Sequence, residues 1–225
     1  MGLSNRKKMD AQSLIILGTS GFAQEIHWLI QDINKVDDAP RFDVKGFIGE
    51  PNKPQEEKGM LILGNDDWAF AHLDRKIRFV TAVANPSLRR RIAESYERKG
   101  FQPISLIHPT ARIAPSTPIP NGAIVCAGAI LTTHIQLGRY PLINLHTTIG
   151  HDAQLGEFVT LAPGVHLSGG VVIGDEVELG TGAVVLPLKS IGAGARIGAG
   201  AVVTKDLLGG RTYMGVPAQF VPKDM

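Results

Sequence analysis

INLHTTIGHDAQLGEFVTLAPGVHLSGGVVIGDEVELGTGAVV, residues 143–185, repeats every six residues. The first place of each repeat is Ile143, Ile149, Leu155, Leu161, Leu167, Ile173, Leu179 and Val185. The register runs back through Leu137, Leu131, Val125 and Ile119 to Ile113, and on through Ile191 and Ile197 to Val203. That makes sixteen branched aliphatics without a break. Glycine often follows, and the fifth place is usually small, as at Ala129, Ala153 and Ala183. A period of six suits neither an amphipathic helix nor one long strand. It suits a parallel β-helix whose every side is a short strand and a turn. The aliphatic and the small residue then fill a narrow prism, and the glycines permit its tight corners. Three hexads per coil give about five coils, stacked at roughly 4.8 Å per layer. Residues eighteen apart share a column.

The first half has another rhythm. LIILG (14–18) is an apolar strand that runs through Gly18-Thr19-Ser20-Gly21 into FAQEIHWLIQDIN, where Phe22, Ile26, Leu29, Ile30 and Ile33 keep helical spacing. VKGFIG (44–49), MLILG (60–64) and IRFVTAVA (77–84) read as further strands, and DDWAFAHL and PSLRRRIAESYERKG as helices. Alternating strand and helix predict a small parallel α/β domain. Pro51, Pro54 and the polar run to Lys58 predict a surface loop. The expected organisation is a disordered leader over 1–12, an α/β domain over 13–106, a prism over 107–212 and a tail over 213–225.

Composition narrows the function classes. The 225 residues carry a net charge of +2, which gives no electrostatic case for nucleic acid or an anionic membrane. No apolar run reaches transmembrane length. Cys126 is the single cysteine, so no internal disulfide framework exists and a reducing, cytoplasmic location fits.

Column arithmetic places His151 between Thr133 and Gly169. Ser168-Gly169-Gly170 leaves bare backbone over the histidine, where a ligand could approach a backbone N–H. Asp152 falls over His134. A base of this type must reach an attacking hydroxyl or amine. Two other readings compete: an exposed turn histidine, or a zinc site in which His134 or His166 joins His146 and His151. His146 alone reads as a surface residue, His108 as a turn residue and Cys126 as packing. Gly18–Gly21, between strand and helix, is a phosphate cradle or a plain glycine turn. Asn85 and Arg89, at the start of a helix after a strand, are expected ligand contacts, and Arg90 and Arg91 partly a solvated face.

GTSGFAQEI (18–26), GFIGE (46–50), NPSLRRRI (85–92), LIHPTARI (106–113), INLHTTIGHDAQLGEF (143–158), LSGGV (167–171), IGAGAVVTKD (197–206) and MGVPA (214–218) together resemble the sialic acid O-acetyltransferase (NeuD-like) family of sugar acyltransferases. The resemblance covers about Leu14 to Pro222. It implies a Rossmann-like domain followed by a left-handed β-helix of hexapeptide repeats. It implies acetyl transfer from acetyl-CoA, without a metal, to an amine or hydroxyl of a sugar, with a nucleotide-linked amino sugar of surface glycan biosynthesis as the expected acceptor. The family's catalytic histidine falls on His151, the acidic residue that raises its basicity on Asp152, and an asparagine of the acetyl-CoA site on Asn144. A homotrimer is implied, with the donor cleft between neighbouring prisms. Ser168, Gly169 and Gly170 then lie beside the histidine, and Thr181, Gly182, Gly198 and Lys205 line the donor path. The acceptor set is Gly18, Thr19, Ser20, Gly21, Phe22, Glu50, Asn85 and Arg89. Some members carry a second histidine where this chain has Thr160, a histidine at Phe22 and paired aspartates at Gly49-Glu50. A non-catalytic scaffold and a zinc-dependent, carbonic-anhydrase-like enzyme are the alternatives.

Overall fold

A computed structural model of the chain describes residues 11–36, 40–50, 54–57 and 59–222. Of the expected leader, residues 1–10 lie outside the described residues, and Gln12 already opens the first strand. In the α/β unit, β1 (Gln12–Leu17), β2 (Phe42–Ile48), β3 (Gln55–Glu57), β4 (Met60–Gly64), β5 (Arg78–Thr81) and β6 (Gln102–Pro103) form one sheet in the order β3-β4-β2-β1-β5-β6. Three helices cover it: α1 (Gly21–Asn34), α2 (Asp66–His72) and α3 (Pro86–Arg98). α1 buries Ala23, Ile26, Leu29, Ile30 and Ile33, which include four of the five positions its spacing predicts; Phe22 is partly buried. Asn65 and Asn85 cap α2 and α3 by accepting N–H bonds from Trp68 and Leu88.

The expected surface loop is corrected first. The described part of the loop expected up to Lys58 includes β3, paired antiparallel with β4 in the register Gln55↔Ile62. The sheet is therefore mixed, with its antiparallel pair at one edge.

The repeats build three parallel sheets. The third face, eight strands, holds Leu106–Ile107, Ile124–Val125, Leu142–Ile143, Thr160–Leu161, Glu178–Leu179 and Arg196–Ile197, then Thr212–Met214 and an antiparallel Gln219–Val221. The first face, six strands, runs from Arg112–Ile113 to Val202–Val203, and the second, four strands, from Gln136–Leu137 to Ser190–Ile191. Partners are eighteen residues apart, as in Thr148↔His166, until the last coil, where Arg196↔Thr212 are sixteen apart. The hexad aliphatics form one core with the small fifth-place residues, and Ile113, Ile119 and Leu137 pack against it partly buried.

Each corner turns on the fourth hexad place. From Gly122 to Gly200 every such residue has positive φ, including seven that are not glycine: His134, Tyr140, His146, Asp152, Phe158, Glu176 and Leu188. An L-residue in this region costs roughly 1–2 kcal/mol.

The α/β unit sits on the third face. Leu106, Ile124, Cys126 and Leu142 join the core beneath α1. Burial pushes the Cys126 thiol up to about 12, so it is inert packing. Along the adjoining edge, Tyr140 and Phe158 stack with centroids 4.8 Å apart, and Arg90 of α3 lies 4.6 Å over Phe158. Arg90 also pairs with Glu157 and Glu176, so it is a seam residue and not solvated helix face. His108 reaches Asp32 of α1 at 3.3 Å, which makes it part of the seam as well as of its turn.

Candidate active site

His151 and Asp152 stand on the edge between the first and second faces. The left-handed backbone of Asp152, φ +58°, turns its carboxylate back on its neighbour. Its Oδ2 lies 2.7 Å from His151 Nδ1. A carboxylate only accepts, so the bond needs the proton on Nδ1, and a neutral imidazole held this way presents its lone pair at Nε2. The imidazole lies over Gly169, where a Cβ would come within 2.5 Å of Nε2. The Gly169 N–H makes no hydrogen bond among the described residues. The ring thus covers a glycine whose N–H is unpaired among the described residues. The two side chains are 68% and 63% exposed, so the pair contributes little to stability and much to orientation.

The other histidines do not converge on it. His134 lies one coil from Asp152 in its column, but no hydrogen bond joins them. The His146 ring covers Gly128 on a different edge. His166 bonds Thr148 at 2.8 Å. Among the described residues no group of three His, Cys, Asp or Glu could hold a metal ion.

The expected donor residues divide between two edges. Ser168, Gly169, Gly170 and the exposed Lys205 share the edge of His151. Asn144, Thr181, Gly182 and Gly198 lie on the edge between the third and first faces. One whole face separates the sets. Asn144 Oδ1 accepts from the Leu145 N–H at 2.7 Å. Gly198 sits under Met214, whose Cγ a Cβ would meet at 2.8 Å.

The acceptor set is gathered at the carboxyl end of the sheet, where connections from β1 and β5 diverge. Gly18 is dictated by the fold: φ is +121° and a Cβ would lie 2.9 Å from Ala82 O. Thr19 packs on Gly49. Ser20 begins α1 without a side-chain cap, and the Gly21 and Phe22 N–H groups have no partner among the described residues. Glu50 is exposed at the same end, and Asn85 lines a cleft of about 400 Å³ with Gly198. Phe22 is partly buried against the core beneath α1. One residue leaves this set. Arg89 is 1% exposed and donates to Val83, Ala84, Tyr140, Phe158 and Val159 carbonyls and to Thr160 Oγ1. Its guanidinium fastens the loop after β5 to the prism and offers nothing to a ligand. Burial pulls its pKa down to about 9, which leaves it cationic at neutral pH. Thr160 completes the clamp by donating to Ala84 O at 2.7 Å.

The sequence reading passed over a hollow of about 170 Å³ under α1, with Glu25, Trp28 and Leu145 in its wall. It also passed over Leu188, one coil beyond Gly170; its signal was a leucine at a place where the corner requires positive φ.

Residues 13–96 match the PglD N-terminal domain family, and residues 152–187 the bacterial transferase hexapeptide (six repeats) family. A GDP-perosamine N-acetyltransferase of Escherichia coli O157:H7 is 40% identical over 139 residues, and the chain covers 62% of its length, with 62% of this chain aligned. The acetyltransferase domain of PglB from Neisseria gonorrhoeae FA1090, solved with acetyl coenzyme A, is 30% identical with a TM-score of 0.86. That match covers 94% of this chain and 100% of the other. PerB from Caulobacter crescentus, solved with CoA and GDP-perosamine, is 28% identical with a TM-score of 0.83, over 93% of this chain and 97% of the other.

Proposed function

The chain belongs to the sugar acetyltransferases that join a PglD-type N-terminal domain to hexapeptide repeats, and on that premise we propose that it transfers the acetyl group of acetyl-CoA to the amine of a nucleotide-linked amino sugar in glycan biosynthesis. The observation that carries the reading is His151 Nε2 poised over Gly169 while Nδ1 is held by Asp152. The acceptor amine attacks the thioester carbon, and Nε2 takes its proton as the C–N bond forms. Asp152 stabilises the imidazolium. The Gly169 N–H receives the charge that develops on the carbonyl oxygen. Collapse breaks the C–S bond, and the imidazolium returns the proton to the thiolate. The products are the N-acetyl sugar and coenzyme A.

In this reading the coils wind left-handed and three chains close a ring in the cytoplasm. The division of donor residues between two edges supports the ring, because Asn144 cannot stand beside His151 of its own chain. The donor then lies between prisms, and the acceptor in the α/β crevice around Gly21, Glu50 and Asn85.

Thiol release from acetyl-CoA, measured with a panel of free and nucleotide-linked amino sugars that includes GDP-perosamine, tests the reading. His151→Ala should lower kcat by about 10²–10⁴-fold while acetyl-CoA still binds. Normal turnover in that variant removes His151 as the base. Transfer to hydroxyl sugars alone overturns the amine assignment, and no transfer to any acceptor overturns the activity.

A further inference from the structure

Leu188 holds a left-handed corner, φ +62°, with its side chain in solvent. Leucine gains nothing from that backbone, which L-residues other than asparagine and aspartate rarely adopt. Most other non-glycine corners have a partner: Asp152 bonds His151, Glu176 pairs with Arg90, and Tyr140 stacks on Phe158. His146 covers Gly128, and His134 is of a type that visits this region more readily. Leu188 is 76% exposed, and Leu186 and Pro187 before it are exposed too. Three consecutive exposed apolar residues thus lie on one edge, one coil beyond Ser168-Gly169-Gly170.

The two ends of this stretch close on the same ledge. The His151 ring covers Gly169 from one side. From the other, Leu188 reaches down over Gly170, its Cδ2 2.6 Å from where a Cβ would stand. Imidazole and leucine methyl therefore flank adjoining glycines. We propose that Leu188, backed by Leu186 and Pro187, is the apolar wall of the donor site. It packs on the methylenes next to the thioester, holds the carbonyl carbon over Gly169 and keeps water from it. The methylene chain of a thioester donor matches an apolar shelf one coil, roughly 4.8 Å, from the reacting carbon. Lys205, exposed one coil further along, suits the polar end of the same molecule. The assignment rests on the acetyl-transfer reading and adds to it the residue that grips the donor.

Calorimetric titration of acetyl-CoA and of acetyl-pantetheine into the wild-type chain, Leu188→Gly and Leu188→Asn tests the wall without any acceptor. Glycine and asparagine both accept the left-handed corner, so thermal midpoint and light-scattering mass should match wild type. Affinity should fall about tenfold for both donors, because the lost contact adjoins the thioester and not the nucleotide. Unchanged affinity in both variants overturns the proposal. So does a fall in midpoint or mass in both, which makes Leu188 a structural or subunit-contact residue. A weakening seen with acetyl-CoA but not acetyl-pantetheine moves the contact away from the thioester and also overturns it. A wild-type chain that binds neither donor instead refutes the acetyl-transfer reading.

Discussion

Replacing Arg89 with methionine tests how the two units are joined. The variant keeps the buried aliphatic stem and deletes the guanidinium. Val159 O still accepts from the Leu142 N–H, and Ala84 O from Thr160 Oγ1. Val83 O and Phe158 O, at 3.0 and 2.8 Å from the guanidinium, lose the one donor each has among the described residues. Tyr140 O loses a weak contact of 3.4 Å. Two stranded buried carbonyls at about 1–3 kcal/mol each give a loss of roughly 2–6 kcal/mol, in line with the 3–5 kcal/mol typical of breaking a buried ionic network. Against a total stability of about 5–15 kcal/mol this is a large fraction. It falls on the seam, whereas the hexad core is untouched. Urea unfolding followed by tryptophan fluorescence and circular dichroism should therefore split. Trp28 and Trp68, both in the α/β unit, should report a lower midpoint than the prism's circular dichroism. Coincident curves at the wild-type midpoint would refute the clamp, and Arg89 would then be a ligand contact after all.

Gly169→Ala places a Cβ 2.5 Å from His151 Nε2, so the ring must move. A misplaced base should lower kcat about 10²-fold with the melting temperature nearly unchanged, and a wild-type kcat would show that the ring position does not matter. Gly21→Glu adds a charge at the uncapped start of α1, where nothing lies within 4 Å of a Cβ. It should raise the acceptor KM severalfold and leave acetyl-CoA binding intact; an equal loss of both would mean destabilisation. Gly18→Ala is the poorer probe because the backbone there is strained for any side chain. Mixing His151→Ala with Thr181→Glu, each inactive alone, should restore part of the activity after subunit exchange, since their edges would meet only between chains. Mixtures that stay inactive would place both residues in one chain's site.

The prism was legible because its rule is local. Each aliphatic points inward for reasons contained in its own hexad, and every one of the sixteen joins the core or packs on it. The column arithmetic extended that rule to a contact, His151 over Gly169, eighteen residues apart. Arg89 was not legible, because its partners lie up to 71 residues away. In sequence it is one of three arginines in a row on a polar helix. β3 was missed for a different reason: Gln-Glu-Glu carries no alternation and forms a strand by pairing with β4. The carboxyl end of the sheet was half legible. Strand ends placed Gly18–Gly21 and Asn85 there, but the burial of Phe22 depends on the prism beneath α1.

Strain maps the division of labour. Of the seven non-glycine corners, Tyr140, Phe158 and Glu176 share the edge that meets α3, while His134, Asp152 and Leu188 share the edge of His151. The first group binds the α/β unit to the third face and its border. The edge of His151 lies between the other two faces, across the prism from that unit. Under the proposed function, a sugar in the crevice of one chain would face away from that chain's own His151. Domain closure cannot bridge the gap, because Arg89 and Arg90 pin the seam with buried and half-buried contacts. A hinge strong enough to carry the crevice around the prism would have to break them all. Bringing a second prism alongside needs no such rupture. The geometry of one chain thus supports the proposed ring, in which assembly and not internal motion completes the site.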